Sequence, residues 1–252
     1  PRLRVSRRAY QSYMDYIAHT SPQAEAFCSD TASWRADFRR FEREQIRPER
    51  FVKALVAPAV PLTYAQQRKL MEDIYWIAID MQNCDHLKGV GFFDLFTYDE
   101  LMSLWKVVNA RMYVCNASAP LNGGLMPRQA APLLRNIVES ADKAIAGGKP
   151  CADLRFGHDT HLIRLLALMG VEGCDGREAD MEKFHLAWQD YRVSPMAANL
   201  QLVFFRNEAG DVLVKLLHNE REVHLPLTAV EGPYYDWKEL RRYFMGLLDG
   251  VD

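Results

Sequence analysis

Apolar side chains fall at helical spacing through the first two thirds of this chain and shift to strand-like clusters near its end. Tyr10, Tyr13, Met14 and Ile17 share a stripe that predicts a helix over 7–18. Trp34, Phe38 and Phe41 repeat in the same way within a charged segment. Pro48 sits where a helix over 49–55 would start, and Pro58 and Pro61 break the chain over 56–62. Thr63 has the character of an N-cap for a long helix over 64–82, with Leu70, Ile74, Ile77 and Met81 on one face. Thr97-x-x-Glu100 spells a capping box for a helix reaching 114, with Leu101, Leu104, Trp105 and Val108 apolar. Gly123 and Gly124 mark a turn. A further helix over 128–146 should end at Gly147, Gly148 and Pro150.

The period then changes. Residues 152–157 predict a short strand running into His158-Asp159-Thr160 and a helix over 160–169, stopped by Gly170. Three strands are expected at 200–205, 212–217 and 223–225, with turns at 207–210 and 219–220. A last helix over 236–248 carries Trp237, Leu240 and Phe244 on one face. The expectation is a helical block followed by an α/β portion, with divisions at 1–27, 28–148 and 149–252.

Composition narrows the classes. The 252 residues are 49% hydrophobic and 25% charged, ordinary for a globular chain. A formal charge of −2 gives no basic surplus for nucleic acid or an acidic membrane surface. The arginines over 1–8 and 35–50 read as solvated helix faces. No apolar run approaches the ~20 residues of a membrane helix. The chain opens at Pro1 without Met and reads as mid-protein sequence, so its start is silent on compartment. Its five cysteines form no Cys-x-x-Cys pair, which argues against a zinc ribbon. Their odd number argues against a full disulfide framework and leaves one disulfide open.

Chemistry concentrates at 154–162, Leu-Arg-Phe-Gly-His-Asp-Thr-His-Leu. Here a glycine precedes an imidazole, a carboxyl and a hydroxyl at a helix start, where free N–H groups and the positive dipole end favour an anion. A carboxyl beside bound phosphate holds its proton more readily and can deliver it to a leaving alkoxide. Asp159 and Thr160 are also ordinary helix-cap residues, so a purely structural role stays open. Alternation along 154–156 leaves the side faced by Arg155 undecided.

Phe-Gly-His-Asp-Thr before a Leu-rich helix with a glycine stop resembles the C-terminal His-Asp motif of the histidine acid phosphatases, which form branch 2 of the histidine phosphatase superfamily together with phytases and multiple inositol polyphosphate phosphatases. Residues 93–206, with Tyr98, Leu104, Asn109 and Pro132-Leu-Leu-Arg-Asn136, resemble the family less specifically, as does Glu220–Pro226. The resemblance implies a fold with an α/β phosphatase core, its C-terminal half present here, and a largely helical inserted domain. It implies metal-free, cofactor-free hydrolysis of phosphate monoesters through a phosphohistidine. His158 would bind phosphate and Asp159 would be the proton donor, with Thr160, His161 and Arg155 as further contacts. Multiple inositol polyphosphate phosphatases usually carry His-Ala-Glu here, so Asp159 favours the acid phosphatase or phytase side. The family's habit implies a periplasmic or secreted protein.

The family's nucleophile lies in an Arg-His-Gly motif. None of the seven histidines follows an arginine or precedes a glycine. The chain is therefore expected to be inactive alone and to need the N-terminal half of the same protein as partner. Two rivals stand beside this reading. One is a binding module with a phosphatase-like fold. The other is a metal-dependent phosphohydrolase using His158, Asp159 and His161, with His86 as the nearest upstream histidine.

Overall fold

The computed structural model describes residues 20–30, 33–87, 89–147 and 152–249. The helix expected over 7–18, Cys151, and the Gly148 and Pro150 stop lie outside them. The chain divides into two compact units, Thr31–Arg111 and the remainder. The division falls inside a helix, earlier than the boundary expected at 148.

Chain order begins with α1 (Pro22–Ser29), which the hydrophobic pattern did not predict. Its signals are local: Ser21 caps it by accepting from the Ala24 N–H, and Pro22 holds the first position. The Thr31–Arg111 unit is helical. α2 (Trp34–Gln45) buries Trp34, Phe38 and Phe41, as its spacing requires. α3 (Glu49–Leu55) buries Phe51 and Val52, and Phe51 stacks on Phe96 with centroids 4.6 Å apart. α4 (Tyr64–Asp80) opens with a Thr63/Gln66 capping box and buries Met71 and Ala78. The stripe expected there is displaced: Ile77 is 49% exposed. The helix is apolar on more than one side, and the side of Met71 and Ala78 turns inward, with Tyr75 packed edge-on against Phe96. α5 (Tyr98–Asn116) starts at the predicted box. The Thr97 N–H donates to Glu100 at 2.8 Å, and the Glu100 N–H donates to Thr97 Oγ1 at 3.2 Å.

In the other unit, the helix predicted over 128–146 is two, α6 (Leu125–Arg128) and α7 (Ala131–Ile145). Pro132 lies at the start of α7, where its missing N–H is harmless. α7 buries Leu133, Leu134 and Val138. Residues 152–157 then run without a ladder partner among the described residues, in place of the strand expected there. Leu154 and Phe156 are 63% and 77% exposed. α8 (Asp159–Met169) packs on α6, α7 and the last helix through Ile163, Leu166 and Met169. It ends at Gly170 at φ 65°, where a Cβ would press on Pro226 at 3.2 Å and the Tyr243 hydroxyl at 3.3 Å.

Two single-turn helices follow, α9 (Phe184–Ala187) and α10 (Asp190–Val193). Phe184 and Trp188 pack on the Tyr113 ring. The Tyr113 hydroxyl donates to the Gly176 carbonyl and accepts from the Glu178 N–H, both at 2.8 Å.

The sheet is antiparallel. β1 (Leu200–Arg206) pairs with β2 (Val212–His218) in the register Leu200 opposite His218 to Arg206 opposite Val212. The third strand is β3 (Arg221–Glu222), two residues before the predicted one, because the Asn219-Glu220 turn is tight and both residues adopt positive φ. β4 (Tyr234–Asp236), which alternation in so short a run cannot reveal, also pairs with β2. Val212, Val214 and Leu216 point inward toward α11 (Trp237–Leu248), whose Trp237, Leu240 and Phe244 complete the core. None of the described helices is long and apolar enough to cross a membrane.

Candidate functional site

The site is the junction of an extended segment with α8. Gly157 and His158 leave the segment exposed, and His158 has extended geometry at φ −100° and ψ 165°. Helical geometry begins at Asp159, so the first amides of α8 point back along the entering chain. The buried face of α8 anchors that end, while the His158 ring and the Asp159 carboxyl stay exposed.

Four of the five sequence candidates gather here. His161 turns back so that its Nδ1 accepts from the His158 backbone N–H at 2.9 Å. Their rings lie 5.6 Å apart, tilted by 40°. Asp159 Oδ1 accepts from the Thr160 N–H at 2.7 Å. Thr160 and His161 are half-buried. Burial holds the His161 pKa below the ordinary histidine value, and the nearby His158 and Arg164 push it the same way, against Asp159.

Arg155 faces elsewhere. Its guanidinium donates to Asn136 Oδ1 at 2.8 Å and to Ser140 Oγ at 3.0 Å, both on α7, and pairs with Asp153 at 2.9 Å. It fastens the extended segment to α7 just before the turn.

Arg164, which the sequence reading passed over, sits one turn after His161 on the same stripe of α8. Its Nε donates to Asn116 Oδ1 at 3.1 Å and its Nη1 to Thr20 Oγ1 at 3.3 Å. Half-burial lowers its pKa from the ordinary arginine value. The i,i+3 spacing from His161 was the available signal.

Among the described residues, no group of three or more His, Cys, Asp or Glu side chains is arranged to hold a metal ion. Within the Thr31–Arg111 unit, an open cavity of about 410 Å³ has Trp34, Phe38 and Leu104 in its wall. Arg68 there forms ion pairs with both Glu42 and Glu72.

The sequence model of the histidine phosphatase superfamily (branch 2) matches residues 6–219. The chain belongs to this family. Three solved structures of the Bifidobacterium longum multiple inositol polyphosphate phosphatase share the fold. The complex with phosphate aligns with a TM-score of 0.64 at 19% identity, over 95% of this chain and 59% of that one. The complex with inositol hexasulfate gives 0.61 at 19% identity, over 91% and 55%. The apo form gives 0.61 at 18%, over 91% and 56%. This chain thus spans between half and two thirds of the length of the enzyme it resembles. None of the curated proteins matches it. The expected family and fold class, a mixed helix-and-sheet histidine phosphatase fold with a helical part, stand on these matches.

Proposed function

We propose that the His158–Asp159 turn is one half of a phosphate-monoester hydrolysis site. His158 donates a hydrogen bond to a phosphate oxygen, and Asp159 protonates the leaving alkoxide. The nucleophile is a histidine on a segment outside these 252 residues, because no Arg-His-Gly occurs within them. In the first step that histidine forms a bond to phosphorus as the ester P–O bond breaks, and the Asp159 proton goes to the departing oxygen. In the second step water attacks phosphorus, returns a proton to Asp159 and releases phosphate and the free histidine. No metal takes part.

The carrying observation is an exposed imidazole and carboxyl, side by side at the open N-terminus of α8, in a chain of this family. That end presents the positive end of the helix dipole to an anion. Thr160 borders the same end and adds a hydroxyl contact. Arg155 supports the segment from α7 and leaves the phosphate to others. The likeness to an inositol polyphosphate phosphatase supports inositol phosphates as the substrate class, and the family resemblance supports an exported protein. Residues 152–157, with Leu154 and Phe156 exposed, pair with a strand of the nucleophile-bearing segment. Without that segment the chain turns over little or no substrate.

The test is His158→Ala in the protein that carries the nucleophile segment, read as inhibition by orthophosphate. Loss of the imidazole donor should weaken inhibition about tenfold or more, in line with a hydrogen bond to a charged group. An unchanged inhibition constant removes the phosphate from this turn.

A further inference from the structure

A helix start leaves amides without partners, and a capping box answers two of them: the N-cap side chain accepts from the N3 amide, and the N3 side chain accepts from the N-cap amide. Two helices of this chain follow the rule with the usual residues, Gln66 reaching back to Thr63 and Glu100 reaching back to Thr97. The glutamate at α5 carries a charge that Arg50 balances with hydrogen bonds of 2.7 and 2.5 Å to its two oxygens.

α8 departs from the rule. Its N-cap is His158, a residue outside the favoured Ser, Thr, Asp and Asn set, and its N3 residue is His161. The reach-back bond is nonetheless present, with His161 Nδ1 as acceptor at 2.9 Å. An amide donor fixes the tautomer: Nδ1 must hold the lone pair, so the proton of the neutral ring sits on Nε2. Half-burial and the neighbouring His158 and Arg164 disfavour a second proton, with Asp159 opposing them. The acceptor is therefore uncharged.

We propose that His161 is the positioning residue of the His158–Asp159 turn, making the reach-back bond of a capping box with an uncharged ring where a carboxylate would place a negative charge beside the anion site. A glutamate at this position would hold the same amide but repel a phosphate about one helical turn away. An imidazole fixes the backbone of His158, and so the start of its side chain, without that repulsion. The second half of this inference rests on the phosphate reading; the first half does not.

The test compares His161→Gln, His161→Glu and His161→Ala by NMR. The readouts, all taken in the protein that carries the nucleophile segment, are the exchange rate of the His158 amide, the ring ¹⁵N shifts of His161 with no substitution, and orthophosphate binding followed at the Thr160 amide. The unsubstituted parent should show an unprotonated Nδ1. Glutamine should preserve both amide protection and orthophosphate binding. Glutamate should preserve protection but weaken binding about tenfold, and alanine should speed exchange of the His158 amide about tenfold. Protection that survives in the alanine variant, a protonated Nδ1, or glutamate binding as tight as glutamine binding would overturn the proposal. A parent Thr160 amide indifferent to orthophosphate would remove the phosphate reading, while loss of protection in the alanine variant would still establish His161 as the cap.

Discussion

Arg155 and Asn136 are joined across the gap between the extended segment and α7, with the guanidinium Nε and Nη2 at 3.2 and 2.8 Å from a single amide oxygen. The Arg155 side chain is mostly shielded, so this contact is stronger than a surface ion pair. Among the described residues 152–157 have no ladder bonds, and Arg155 supplies much of what fixes the position of this segment. Arg155→Ala should lower stability by about 1–2 kcal/mol and speed hydrogen exchange over 153–157, leaving α7 unchanged. Urea unfolding and exchange mass spectrometry read both effects. An unaltered exchange pattern would mean that the segment is held by other contacts.

His218 lies buried at the end of β2. Its Nε2 is 2.7 Å from the Val193 carbonyl and its Nδ1 3.7 Å from Cys174 Sγ. The carbonyl can only accept, and at 2.7 Å it outweighs the Asn219 Nδ2 3.1 Å from the same nitrogen, so Nε2 carries the proton and Nδ1 faces the thiol. Burial lowers the His218 pKa below the ordinary 6.5, more than the carbonyl contact raises it. The folded chain thus resists a proton that the unfolded chain accepts. This stability is complete above about pH 6.5 and is lost as pH falls from there through the folded value. The urea midpoint should drop between pH 7.5 and 5.5, and His218→Gln should flatten that drop. A slope unchanged by the substitution would place the acid sensitivity elsewhere.

The same burial silences Cys174, whose thiol pKa is pushed up to about 12 by desolvation, with Asp175 adding to it. Cys84 is exposed, with a long contact of 3.9 Å to the Asp80 carbonyl. At pH 8 a disulfide reagent should modify Cys84 in the native chain and reach Cys174 only on unfolding. Peptide mapping after a timed reaction distinguishes them. Native-state labelling of Cys174 would show that the β2 end opens readily.

Local signals were legible in the sequence where a side chain acts on its own neighbourhood. Thr63 and Thr97 cap the helices that their spacing announced, and Trp34, Phe38 and Phe41 are buried together. Signals that depend on a distant partner were not. The strand-like alternation of Leu154, Arg155 and Phe156 is genuine, but a ladder needs a neighbour, and none lies among the described residues. Arg155 turns toward α7 because Asn136 and Ser140 wait there, a fact no local pattern encodes. Ile77 and Met71 were both apolar choices for the inner face of α4, and packing against the rest of the unit, which no local pattern encodes, buries Met71 and leaves Ile77 exposed. The His158–Asp159 turn was readable as a motif. The cap formed by His161 was hidden because histidine is not the residue expected at that position, although its three-residue spacing matches Thr97 and Glu100.

The most direct test of the account is the leaving-group dependence of Asp159→Asn in the protein that carries the nucleophile segment. If Asp159 protonates the departing oxygen, turnover of alkyl and inositol phosphates should fall about a hundredfold or more, while p-nitrophenyl phosphate, whose leaving group needs little proton assistance, should lose about tenfold at most. An equal loss for both substrates, or no loss for either, would contradict the assignment of Asp159 as proton donor and leave the turn as a helix cap.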